Sequence, residues 1–236
     1  MNPNVVWHDV ECGGYTVDLP LWLQLAADAP EGVLDIGAGT GRVALPLARA
    51  GHAVTALDVD SELLASLSER AAAEALTVPA IVADAADFEL ERPVSLVIVP
   101  MQTIQLLPER AGFFASVRRA LVPGGRVALA IATGLEAFDG GAALPYPDLG
   151  EVDGCRFISQ PVAIRLLDDG VRIERVRQLV WPDGTRENAE NAVHLATVSP
   201  AELAEEAAEH GLEAEELRHI PETPEHVGSE VVILRG

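Results

Sequence analysis

Short apolar runs that stop at glycine or aspartate alternate with amphipathic stretches over the first 132 residues. Val33-Leu34-Asp35-Ile36 is such a run, and those over residues 53–57, 80–83, 94–99 and 126–132 resemble it. Continuous apolar runs of this length predict buried strands of a parallel sheet. Between them the apolar positions fall at helical spacing. This predicts helices over 20–29, with Pro20 in the first turn, over 40–50 with Gly51 closing it, over 61–75 with Ser61 as cap, and over 108–121. Strands alternating with helices give βαβ units and a mainly parallel sheet covered on both faces.

The pattern changes after Gly134. Residues 135–150, rich in Gly, Pro and Ala, read as loop. Three alternating stretches follow over 156–167, 171–181 and 189–198, separated by Asp168-Asp169-Gly170 and Pro182-Asp183-Gly184. Asp-Gly between alternating runs signals hairpins, so an antiparallel meander is expected. Ser199-Pro200-Ala201-Glu202 then opens a helix that stops at Gly211, and residues 231–234 form a closing strand. The predicted architecture is an α/β doubly wound sheet, residues 1–134 and 199–236, with the meander of 135–198 inserted before the last helix and strand.

Composition narrows the partners. Hydrophobic residues make up 49% of the 236, as in ordinary globular proteins. Sixteen basic residues, all arginine, face 37 acidic ones for a formal net charge of −21. Such a field repels phosphate backbones and anionic surfaces, so nucleic acid and membrane are not expected partners. No apolar stretch reaches eighteen residues, and the start of the chain lacks a basic region followed by an apolar one. Cys12 and Cys155 are too few for a disulfide framework and lack metal-site spacing, so a reducing cytoplasm and no metal are expected.

The chemistry starts at Asp35-Ile36-Gly37-Ala38-Gly39-Thr40-Gly41, between a predicted strand and helix. Glycines let the backbone turn sharply and approach a ligand. Taken alone, the glycines indicate only a nucleoside-containing cofactor. A pyrophosphate at this loop would be opposed by the Asp35 carboxylate, which suits instead a cofactor with a cationic amino-acid end. Asp58, at the end of the next strand, can accept from both ribose hydroxyls, and Asp84, at the end of the third, from an adenine amine. A strand-end aspartate often caps the following turn. Three at successive strand ends, on the edge where open α/β sheets bind ligands, point to a site.

These residues resemble the class I S-adenosylmethionine-dependent methyltransferases. Residues 33–42 match the first motif of that family. Residues 56–60, Ala83-Asp84-Ala85, the strand over 96–99 and residues 121–126 match later ones in order. The resemblance covers residues 15–132 well and the end of the chain more loosely. It implies a Rossmann-like fold and S-adenosylmethionine as cofactor, with Asp35, Gly37, Ala38 and Gly39 at its methionine part, Asp58 at the ribose, Val59 on the adenine face and Asp84 with Ala85 at the adenine. Tyr15 resembles an aromatic that closes over the cofactor, although a packing tyrosine is an equal reading. Pro100-Met101-Gln102-Thr103 resembles the loop after the fourth strand in small-molecule members, with Pro100 against the cofactor.

Methyl transfer from a sulfonium rests mainly on alignment. An amine needs little proton-transfer help, a hydroxyl usually wants a base. Leu106 and Leu107 occupy the positions where some relatives place a histidine. Gln102 is therefore the candidate for orienting a substrate, with Gln105 beside it, and helix capping is the competing role. His8, His194 and His226 are the histidines not assigned to the surface, and His194 faces the cofactor if the meander roofs the cleft. Trp7, Tyr146 and Trp181 are candidate pocket aromatics. The insertion is expected to select a small-molecule methyl acceptor, an N- or O-nucleophile, and its outward face to suit a homodimer. Two alternatives remain at this level: an NAD(P)-dependent oxidoreductase, and a protein that binds S-adenosylmethionine without transferring methyl.

Overall fold

A computed structural model describes residues 2–141, 144–224 and 226–236. Its central sheet has seven strands in the order β11-β12-β5-β4-β1-β2-β3. These are β1 (Val33–Ile36), β2 (Val54–Asp58), β3 (Ala80–Val82), β4 (Val94–Val99), β5 (Leu121–Ile131), β11 (Glu213–Ile220) and β12 (Ser229–Arg235). The first five run parallel, and β12 lies antiparallel to both β5 and β11. Strand β11 is absent from the sequence reading. Glutamates at 213, 215 and 216 mask its alternation, as an edge strand facing water allows.

Helices cover both faces, as expected. Trp22 and Leu25 of α2 (Leu19–Ala26), Leu47 of α3 (Ala44–Arg49) and Leu64 and Leu67 of α4 (Ser61–Ala73) pack on one. Phe113 and Phe114 of α5 (Ala111–Ala120) and Leu203 of α6 (Pro200–Ala208) pack on the other. Each fully buried side chain of this size stabilises the fold by about 1.5–3 kcal/mol. Ser199 and Glu202 form the capping box that opens α6. Asp60, not Ser61, caps α4, because its carboxylate accepts from the Glu62 and Leu63 N–H groups. Helix α3 starts only at Ala44, since Gly41, at φ +94°, keeps the preceding turn out of helix.

Between β5 and α6 the chain builds a second, antiparallel sheet, order β10-β9-β8-β6, with β7 also paired to β8. It comprises β6 (Phe138–Asp139), β7 (Asp148–Val152), β8 (Cys155–Leu166), β9 (Gly170–Val180) and β10 (Arg186–Ala196). Strand β6 and the start of β7 lie within the stretch read as loop, of which Ala142 and Ala143 fall outside the described residues.

An amphipathic helix at the start, α1 (Pro3–Cys12), joins the two sheets. Toward the central unit, Asp9 pairs with Arg70 and accepts from the Thr40 hydroxyl at 2.7 Å, and Asn4 donates to Asp60 at 2.8 Å. Toward the second sheet, Glu11 accepts from Ser159 at 2.7 Å and from both Nε and Nη2 of Arg177. Val6 is buried with Phe157, Cys155 and Leu179 in a small core that Trp7 and Trp181 also join. Among the described residues no helix is long and apolar enough to cross a membrane.

Candidate active site

A cleft of about 570 Å³ lies where β1, β2, β3 and β4 end, under the second sheet. Its floor comes from the strand ends. Asp35, Gly37, Ala38, Asp58, Val59 and Asp84 all contribute to it. Ala85, Pro100 and Gln102 do so too. Its roof is mainly apolar, from Ile173 of β9 with Val193 and Leu195 of β10, and carries one charged side chain, Arg175 of β9. His8, Glu11 and Cys12 of α1 close one side.

The glycine loop adopts the backbone its residues allow. Gly37, Gly39 and Gly41 have φ of +72°, +53° and +94°, where a Cβ is strained. At two of them space is equally restrictive. A Cβ on Gly37 would lie 2.5 Å from the Thr103 methyl, and one on Gly39 would collide with the His8 imidazole. Thr103 arrives there because the chain turns sharply after β4, with Met101 at φ +56°. Such a non-glycine conformation costs on the order of 1–3 kcal/mol and clusters at functional sites.

Asp35 is 1% exposed, and neither oxygen has a hydrogen-bond partner among the described residues. Burial pushes its carboxyl up to about 7; the Arg42 charge pulls it down, and neighbouring Asp58 adds to the rise. An ionisable group left unpaired at the wall of a cleft suits a ligand that brings a cation. Asp58 is held by the Gly39 N–H at 2.8 Å and the Asp60 N–H at 2.9 Å. It keeps lone pairs for a diol. Val59 beside it is 74% exposed, an apolar face open to a flat ring. Asp84 accepts from the Ala86 N–H at 2.8 Å, which fixes its side chain at the end of β3. Unpaired carboxylate, diol acceptor, apolar ring face and glycine cradle fit the amino-acid, ribose and adenine parts of S-adenosylmethionine.

Beneath the loop, Arg42 donates to Asp18 through Nη1 and Nη2 at 2.7 and 2.8 Å, and through Nη1 to the Tyr15 carbonyl at 2.7 Å. Asp18 is fully buried and also accepts from the Trp22 indole at 2.7 Å.

Two sequence expectations need correction. His194 is not at the cleft. Successive strand residues face opposite ways, so with Val193 and Leu195 turned inward His194 points outward, 45% exposed and 3.8 Å from Asp169. Tyr15 is buried against Arg42 and His226, outside the cleft lining. Gly39 is in the loop beside the cleft, and its N–H donates to Asp58 at 2.8 Å. Gln105 is a tie between sheets, bonding both backbone groups of Ala132 and the Ala196 carbonyl. Trp7 and Trp181 serve the small core, and Tyr146 is 91% exposed.

Sequence reasoning left His8 open and missed Glu11 and Cys12 as cleft residues. His8, Glu11 and Cys12 stand at i, i+3 and i+4 of α1, a spacing that puts them on one helix face. Burial lowers the His8 imidazole below its usual value despite nearby carboxylates, so it is neutral at pH 7. Burial alone would raise Glu11, but Arg177 and Ser159 hold its carboxyl below the usual range. Burial raises the Cys12 thiol to about 11, so it stays protonated.

Residues 33–125 match the family model described as a methyltransferase domain. Solved structures share the fold across nearly the whole chain. A sugar N-methyltransferase from Streptoalloteichus sp ATCC 53650 is 17% identical, with 98% of this chain and 92% of that one covered at a TM-score of 0.75. An amino pentose methyltransferase from Micromonospora echinaspora, solved with S-adenosylmethionine bound, is 18% identical over 98% and 96%, with a TM-score of 0.74. A methyltransferase from Streptomyces caelestis is 23% identical over 94% and 97%, with a TM-score of 0.68. Among curated protein sequences none matches. The glycine loop, the carboxylates at three strand ends and the domain matched over residues 33–125 make this chain similar to the class I S-adenosylmethionine-dependent methyltransferases.

Proposed function

We propose that the enzyme methylates a nitrogen of a small molecule held between the strand ends and the second sheet. The observation that carries this reading is the roofed cleft, which places an apolar lid, Ile173, Val193 and Leu195, over the cofactor floor. A macromolecular acceptor would need an open groove. The cofactor supplies an electrophilic methyl on a sulfonium. The protein aligns the acceptor with it, and orientation of this kind accounts for up to about 7–11 kcal/mol of a barrier.

Gln102 and Thr103 are the polar side chains of the loop after β4 in the cleft wall. An amide and a hydroxyl orient a nucleophile without taking its proton at neutral pH, which suits an amine that has already lost one to water. Similarity in fold to a sugar N-methyltransferase and an amino pentose methyltransferase supports the same choice. The inserted sheet, residues 135–198, is then the part that selects the acceptor, with Gln102 presenting it to the methyl.

The test is release of S-adenosylhomocysteine from S-adenosylmethionine with a panel of small amines, amino sugars included, against their hydroxyl counterparts. Turnover confined to amines is the expected result. Turnover confined to hydroxyl or carbon acceptors would overturn the nitrogen assignment.

A further inference from the structure

Two arginines line the cleft, Arg42 and Arg175, and they are used differently. Arg42 is closed off by Asp18 and the Tyr15 carbonyl. Arg175 lies on β9, two residues from cleft-lining Ile173, so both share the face turned to the cleft. Its Nη1 donates to Asp148 of β7 at 2.8 Å. Its Nε and Nη2 have no hydrogen-bond acceptor among the described residues. Arg177, next along the same face, shows what that edge does when used, giving Nε and Nη2 to the two oxygens of Glu11 at 2.8 and 2.7 Å. Glu11 accepts from Arg177 and from Ser159, so among the described residues no carboxylate oxygen hydrogen-bonds the open edge of Arg175, while the charge of Glu11 remains near it.

Tethering β7 to β9 does not account for this arrangement. A single-contact, partly exposed ion pair contributes little, whereas a guanidinium with unsatisfied donors under an apolar roof loses hydration when the cleft fills. The Asp148 contact fixes the plane of the guanidinium, and the planar Nε–Nη2 edge matches two oxygens of one oxyanion.

Building on the assignment of the cleft to a small amine, we infer that Arg175 is a specificity-determining residue that binds an oxyanion, a carboxylate or a phosphate ester, carried by the methyl acceptor. The acceptor then has an anionic group held under the roof, apolar surface against Ile173, Val193 and Leu195, and its amine toward Gln102. Within a protein of net charge −21, an unspent arginine in the cleft admits an anion that the surface field would otherwise repel.

The experiment measures binding of matched probes to the protein loaded with S-adenosylhomocysteine: phenylalanine against phenethylamine, and glucosamine 6-phosphate against glucosamine. In the native protein the member carrying the oxyanion, in at least one pair, binds about tenfold or more tightly than the partner that lacks it. Preference in the first pair assigns a carboxylate, in the second a phosphate. Arg175→Gln abolishes the preference with S-adenosylhomocysteine affinity unchanged, and Asp148→Asn retains most of it. No preference in either pair, or a preference that survives Arg175→Gln, overturns the inference while leaving the methyltransferase reading intact. Failure of the native protein to bind S-adenosylhomocysteine defeats both. Should Arg175→Gln itself not bind it, Arg175→Lys decides: a weakened preference supports the fork, full retention overturns it.

Discussion

The floor and the roof of the cleft are built by different means. The floor is backbone and strand ends: glycines at positive φ, a carboxylate at each of three parallel strands, and Asp58 held by two N–H groups. The roof is side chains on two strands of an antiparallel sheet, joined to the floor by α1. A floor of this kind tolerates little change, because the ligand touches main chain that only particular residues can shape. Roof positions exchange side chains without moving the strands that carry them. The floor is the physically constrained part of the cleft, and the roof is the part free to vary with an acceptor.

Five substitutions would break or sharpen that contrast. The largest effect belongs to the support of the floor. Asp18→Ala leaves Arg42 buried without its fork and should lower stability by about 3–5 kcal/mol, read by denaturant unfolding. A loss under 1 kcal/mol would show that the loop does not depend on that pair.

Asp58→Ala is expected to weaken cofactor binding by about 10–150-fold, the range for a hydrogen bond to a charged group. Calorimetric titration checks it, and unchanged affinity would remove the ribose assignment.

Asp35 makes a pH prediction. Its folded value, about 7, lies above its ordinary 3.8, so the unfolded chain gives up this proton first and the group lowers apo stability as pH rises from about 4 to 7. Cofactor affinity should move the other way, rising by up to about tenfold per pH unit below 7 and levelling above it, as the carboxylate becomes available to a cation. Asp35→Asn should flatten both profiles, seen by thermal unfolding and titration over pH 5–9. A pH-independent affinity would sever Asp35 from the cofactor.

The smallest effects belong to the roof's two sides. Leu195→Ala, at the cleft, should raise the acceptor KM several-fold while cofactor affinity stays within about twofold, as loss of one apolar contact implies. His194→Ala, on the outer side of the same strand, should change neither. Equal effects of both would mean that the sheet's two faces do not divide as the cleft indicates.

How much of this was legible beforehand follows the same division. Asp35, Gly37, Ala38, Asp58, Val59, Asp84, Ala85, Pro100 and Gln102 all lie at the cleft, and each stands within a few residues of a strand end that hydrophobic runs mark. Tyr15 and His194 were misplaced for a different reason. One stands in a turn between α1 and α2, the other on a strand whose facing depends on a one-residue register. Helix α1 went unread because its packing partners, Arg70 and Arg177, lie 61 and 166 residues further along.

Local sequence by itself determined the alternation of strand and helix, the glycine loop and the carboxylates that follow it, since each depends on residues adjacent in the chain. Only tertiary structure decided what covers them: that Gln105 ties the two sheets, that Val193 and Leu195 face inward, and that Arg175 keeps an open edge while Arg177 does not. Backbone conformation follows from neighbours along the chain, whereas the facing of a side chain on a meander depends on how two sheets close over each other.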